Sequence, residues 1–197
     1  LADAKTLDMH EPFVLIKADD GLTRLEKNGD KHGFYAGNLA TVLESASVYY
    51  DICIIDTNPN PDIRQITAIV VASHVLSPIQ LNQEAIDGIG RLFENIKKLK
   101  QINKKMVFLG LMPNLVEATP FQRNNLAELV KHFSTVLFKT DAGKVAFIPT
   151  RTALAEAQAA GLPVWAMQKT SARTAWSELK PIFEIVSKRL EFDSATQ

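Results

Sequence analysis

The chain has 197 residues, with 22 Lys plus Arg against 22 Asp plus Glu and a single Cys, which is the composition of an ordinary globular domain able to bury its own core. One Cys excludes an internal disulfide framework and a Cys-rich zinc site, and the balanced charge excludes a globally basic nucleic-acid binder while allowing a local patch. No apolar run reaches the roughly 18–20 residues that span a bilayer, and no signal peptide opens the chain, so the expected location is the cytoplasm.

Phe13 to Ile16 forms a short apolar run after Pro12 and predicts a buried strand. Asp19-Asp20-Gly21 predicts a turn, and the polar, Gly-containing stretch Glu26–Gly37 a loop. Asn38 is placed to cap a helix carrying Leu39, Val42, Leu43 and Ala46. Ile52–Ile55 predicts a second buried strand, with Cys53 inert inside it, and Asn58-Pro59-Asn60-Pro61 a rigid turn. Asp62 and Gln65 have the spacing of a capping box for a helix with Ile63, Ile66, Ile69 and Val70. Val75–Ile79 predicts a strand, and Glu84–Lys100 a helix whose Ile86, Ile89, Phe93, Ile96 and Leu99 share one stripe. Its lysines gather near the C-terminus, where the helix dipole favours cations.

Met106–Met112 predicts a strongly apolar strand. Thr119, Pro120 and Gln122 mark a helix start through a cap, a first-position proline and a capping partner. Val136–Phe138 and Val145–Ile148 predict short strands, Ala153–Ala160 a helix ended by Gly161, and about Ser171 onward a last helix bent at Pro181. Continuous apolar strands alternating with helices indicate an α/β fold of three αβα layers around a mainly parallel sheet. No internal repeat or linker divides the chain, so residues 1–190 are expected to form one domain and 191–197 a tail.

Ligands of such sheets bind beyond the C-terminal ends of the strands. Asp56 ends the 52–55 run, where an acid can hold magnesium directly or through water, or can simply cap a turn. Asn114 follows Met106–Met112, where its amide can pair with a purine edge or serve as a turn residue. Ile148-Pro149 follows another strand, as a backbone wall for a base or as the start of a loop. Arg151, Lys169 and Arg173 form either a patch for DNA phosphates or a solvated face. His74 suits a structural role, and His10, His32 and His132 lack metal-ligand spacing. Gly143-Lys144 is not a phosphate loop, because the G-x-x-x-x-G-K-S/T spacing is absent and Val145 follows the lysine.

Five segments occur together in order. Tyr50-Asp51-Ile52-Cys53-Ile54-Ile55-Asp56-Thr57 resembles the Y-D-x-x-I-I-D-T segment of ParA/MinD-type partition ATPases. Val75–Gln80 resembles that family's V-L-I-P-V-Q strand, and Ala85–Ile89 its A-L-x-G-L helix. Phe138-Lys139-Thr140 with Ile148-Pro149 resembles V-F-x-T … I-P, and Ala153–Ala157 with Gly161–Val164 resembles L-x-E-A … G-x-P-V. The ParA branch is the nearer, since no amphipathic membrane helix follows Arg189.

The resemblance implies a P-loop NTPase fold and a protein that binds ATP with Mg, dimerises around two nucleotides and binds DNA nonspecifically. It implies hydrolysis stimulated by a ParB-like partner, with plasmid or chromosome partition as the outcome and no membrane partner. Asp56 matches the acid closing the Walker B strand, and Thr57 to Pro59 the start of the second switch. Asn114 matches the adenine-facing Asn, and Ile148-Pro149 the backbone bordering the base. Two departures stand out. Asp56-Thr57-Asn58-Pro59 replaces the family's D-T-P-P, and the family's opening strand and K-G-G-x-G-K-S/T-T loop are not among these 197 residues. The start at Leu1 rather than Met leads to the expectation that the chain is the later portion of a full ATPase. The alternative is a degenerate, non-hydrolysing relative that acts as an adaptor or regulator.

Overall fold

The computed structural model describes residues 13–17, 21, 32–57 and 62–190. The chain divides into two compact units, residues 1–73 with 96–106, and residues 74–95 with 107–197. The turns expected at Asp19-Asp20 and Asn58–Pro61, and the tail 191–197, lie outside the described residues.

The first unit holds helices α1 (His32–Ala46) and α2 (Ile63–Val71). Helix α1 starts six residues before Asn38, so Asn38 is an interior residue and not a cap, and the end of the expected Glu26–Gly37 loop is helical. Helix α2 starts as its sequence predicts. The Asp62 carboxylate accepts from the backbone N–H groups of Arg64 at 2.8 Å and Gln65 at 3.2 Å, satisfying donors that the helix itself leaves open. At the other end of α2, Asn103 Nδ2 donates to Val70 O at 2.9 Å and Ala72 O at 2.8 Å.

Two expected strands are corrected here. Residues 13–17 and 52–57 are not part of any sheet. Phe13 is 78% exposed and Ile54 88% exposed. Cys53 is also exposed rather than a core residue. The physical reason is that a strand needs a hydrogen-bonding neighbour, and no described segment pairs with either run.

The second unit is built on parallel strands β1 (His74–Ile79) and β2 (Val107–Pro113) and on residues 83–95 of the helix that connects them, α3 (Gln83–Ile102). Asn82 caps α3, accepting from Ala85 N at 2.8 Å. The register runs Val75 opposite Phe108 and Leu76 opposite Gly110, which leaves Leu109 as the extra residue of a bulge. Residues 136–138 lie beside β2 without forming a full strand: Leu111 N donates to Val136 O at 2.8 Å, and the pairing is a single parallel bridge at Leu137. Residues 145–149 likewise make isolated bridges, to Lys139 and Val116, instead of the expected strand.

Three more helices complete the unit: α4 (Pro120–Phe133), α5 (Thr152–Ala160) and α6 (Thr170–Arg189). Thr119 caps α4, accepting from Gln122 N at 3.2 Å. The Gln122 side chain accepts instead from Glu117 N at 2.7 Å, so it ties down the preceding loop. Gly161 ends α5 in the left-handed region at φ 63°, and α6 continues through Pro181.

Strand β2 is buried on both faces. Leu109 and Met112 join Phe138, Ala153, Ala172 and Leu179 in one core, with α5 and α6. Leu111 joins Ile79, Ile89, Leu129 and Leu137 in the other, with α3 and α4. This is the three-layer αβα arrangement expected from continuous apolar strands. The small side chains Ala153, Ala157, Ala172 and Ala175 let α5 and α6 approach closely. No described helix is long and apolar enough to cross a membrane.

Candidate nucleotide site

The C-terminal end of β2 is held by backbone bonds on both sides. Asn114 N donates to Ile79 O at 2.8 Å, at the end of β1. Ile148 N donates to Pro113 O at 2.9 Å, Val116 N to Ile148 O at 3.0 Å, and Thr150 N to Val116 O at 2.9 Å. These bonds bring Asn114 and Ile148-Pro149, 34 residues apart in the sequence, to one place beyond the strand ends. Pro149 is buried, while Asn114 and Ile148 are half-buried.

The Asn114 carboxamide has a defined orientation. Its Oδ1 accepts from Leu115 N at 2.9 Å, and its Nδ2 makes no hydrogen bond among the described residues. Leu115 has φ 53° and is the single non-glycine residue with positive φ among those described. The sequence carried no signal for this conformation, because left-handed backbone is usually marked by Gly, Asn or Asp.

Asp56 and Thr57 are exposed and belong to the first unit, whereas Asn114, Ile148 and Pro149 belong to the second. Among the described residues no group of three or more His, Cys, Asp or Glu side chains is placed to hold a metal ion. Of the residues singled out as site candidates, Asp56 offers the hard carboxylate oxygen that magnesium prefers. The donor amide and backbone wall near Asn114 suit a base.

The three basic candidates differ. Arg151 forms a two-pronged pair with Glu178, Nε to Oε2 at 2.8 Å and Nη2 to Oε1 at 2.7 Å. The hydrogen bond to Glu178 is the main cause that raises the Arg151 pKa above its ordinary value. Lys169 Nζ pairs with Glu156 at 2.9 Å. Arg173 is exposed, with no side-chain hydrogen bond or ion pair among the described residues.

A family profile described as an AAA domain matches residues 7–108. IncC from Escherichia coli is 31% identical over 182 residues, covering 92% of this chain and 49% of its own length. The sporulation initiation inhibitor protein Soj from Bacillus subtilis is 27% identical over 132 residues, covering 64% of this chain and 48% of its own length. The chain therefore spans about half the length of these relatives. Among solved structures, an ATP complex of a Cyanothece McdA variant superposes with a TM-score of 0.70 at 18% identity, covering 98% of this chain and 75% of that one. That likeness shows the fold, αβα layers around a parallel sheet. The chain belongs to the ParA/MinD-type partition ATPase family.

Proposed function

We propose that the whole protein is a ParA-like ATPase that serves plasmid or chromosome partition in the cytoplasm. The observation that carries this is the pinned turn beyond β2, where Asn114 and Ile148-Pro149 meet in a chain whose family is that of the partition ATPases. Asn114 reads the adenine of ATP, and the Ile148-Pro149 backbone borders the base. Asp56 holds magnesium or its bound water, with Thr57 beside it. Magnesium supplies charge neutralisation at the phosphates when bound. The phosphate-loop motif is not among these 197 residues, so this reading concerns the full-length gene product, with residues 1–190 forming one domain of it.

The finer parts of the reading are a homodimer around ATP, nonspecific DNA as one partner and a ParB-like protein as the stimulating partner. Arg173, which has no ion pair among the described residues, offers its charge to DNA phosphates. Arg151 and Lys169 are held in exposed ion pairs, which phosphate can compete for. DNA retention therefore falls steeply with added salt.

The test is steady-state ATP hydrolysis by the full-length gene product, with and without Asp56→Ala. The substitution is expected to abolish turnover, and full activity in the variant refutes the role of Asp56. Calorimetry of the 197-residue chain with Mg-ATP addresses the adaptor alternative. Tight binding by this chain contradicts both that alternative and the assignment of phosphate binding to a segment outside it.

A further inference from the structure

We propose that residues 145–149 are an open sheet edge that takes up an extended, acidic peptide segment of a partner protein as an added strand. The inference goes beyond the nucleotide reading and does not rest on it. Every second residue here is bonded to the sheet: Ala146 N donates to Phe138 O at 2.8 Å, Ile148 N to Pro113 O at 2.9 Å and Thr150 N to Val116 O at 2.9 Å. That period of two is the pattern of extended backbone, in which the residues between turn their peptide groups the other way. Those residues are Val145 and Phe147. Neither their N–H groups nor their C=O groups have a hydrogen-bond partner among the described residues. A row of unpaired donors and acceptors at strand spacing is a template for one more strand.

The surroundings of the edge select its occupant. A groove of about 340 Å³ runs between this edge and α6. Its apolar lining is Phe147 and Pro149 from the edge and Pro181, Ile182 and Ile185 from α6. Phe147 and Pro181 are exposed, and Ile185 is half-buried. A strand added here turns every second side chain toward α6, so apolar residues fit at alternate positions. Of the charged groups around the edge, Arg151 pairs with Glu178 and Lys188 with Asp141. Lys139, opposite Val145, and Lys144, just before it, are exposed and have no ion pair among the described residues. The charge left over beside the edge is therefore positive, which favours acidic residues between the apolar ones. It also disfavours a second copy of this chain, because two such edges would bring like charges together.

The probe is a short, end-capped, fluorophore-labelled peptide of alternating Glu and Val, titrated with the full-length gene product and followed by anisotropy. It is expected to bind saturably, and more tightly than a matched peptide of alternating Lys and Val. Phe147→Pro removes an outward N–H and keeps the three bonds to the sheet, in the one setting where strands tolerate proline. Phe147→Ala controls for the loss of the ring. Phe147→Pro is expected to bind the acidic peptide about three- to tenfold more weakly than Phe147→Ala, the value of one hydrogen bond. Lys139→Gln combined with Lys144→Gln is expected to weaken binding by a similar factor at low salt and little at high salt. A fully N-methylated acidic peptide keeps its side chains, needs no change in the protein, and is expected not to bind. No saturable binding, equal binding by the two Phe147 variants, undiminished binding of the methylated peptide, or equal affinity for the acidic and basic peptides overturns the inference. Self-association of the nucleotide-free protein that Phe147→Pro abolishes assigns the edge to a second copy and overturns it as well.

Discussion

Arg189, the last residue of α6, carries a testable share of the stability of the second unit. Its guanidinium donates to Leu109 O and, at 3.1 Å, to Leu137 O. It also lies over the Phe138 ring, 4.1 Å from the centroid. Leu109 is the bulged residue of β2, and its carbonyl accepts from the arginine. Burial lowers the Arg189 pKa below the usual arginine value, so part of the gain is offset by desolvation. Arg189→Met keeps much of the stem but removes both bonds and the cation. Hydrogen bonds to charged groups contribute about 1.5–3 kcal/mol each, and the ring contact about 0.5–1 kcal/mol. After the desolvation offset, the expected loss is about 3–4 kcal/mol, large against a domain total of about 5–15 kcal/mol. With a urea dependence of about 2 kcal/mol per molar, the unfolding midpoint drops by roughly 1.5–2 M. Urea titration followed by tryptophan fluorescence and circular dichroism measures this. Arg189→Lys is expected to fall between the two, because one ammonium lacks the planar fork that serves two carbonyls. A midpoint for Arg189→Met within about 0.5 M of the parent, roughly 1 kcal/mol, refutes the accounting.

Gly110 has φ +134°, and a Cβ there would stand 2.3 Å from Val136 O. Gly110→Ala is therefore expected to lose at least about 3 kcal/mol in the same urea assay. Asn103→Ala strips donors from Val70 O and Ala72 O and is expected to cost about 1–3 kcal/mol, with faster amide exchange in α2. Asp62→Ala removes the α2 cap and should cost about 1 kcal/mol, visible as a small drop in melting temperature.

What was legible in the sequence depended on whether the determinants were local. Asp62, Thr119 and Gly161 mark helix ends through contacts within a few residues, and each acts where its spacing places it. Strand β2 was legible because its apolar run is buried on both faces. The 52–55 run is also continuously apolar but has no partner among the described residues, and composition alone does not supply one. The bulge at Leu109 was hidden, since its acceptor is met by a residue 80 positions away. At the candidate site, Asn114 and Ile148-Pro149 stood out by position after apolar runs. Leu115 did not, because its conformation follows from the anchors on either side and not from its own type.

The same contrast separates the turn beyond β2 from the 52–57 segment. The turn beyond β2 has its backbone groups committed to β1 and to residues 148–150, so its side chains are pre-positioned for a ligand. Residues 52–57 lie outside any sheet, with Ile52 at 51% and Ile54 at 88% exposure, and present the apolar side chains typical of an uncovered strand edge. Ile54→Ser separates the observed state from a buried strand. A fully buried isoleucine contributes about 1.5–3 kcal/mol by area alone. An exposed one changes stability by no more than about 0.5 kcal/mol. In the 197-residue chain, urea unfolding of Ile54→Ser is expected to match the parent within that margin. A loss of about 2 kcal/mol or more shows that this run is packed as a strand after all, and Asp56 then sits on a fixed element like Asn114.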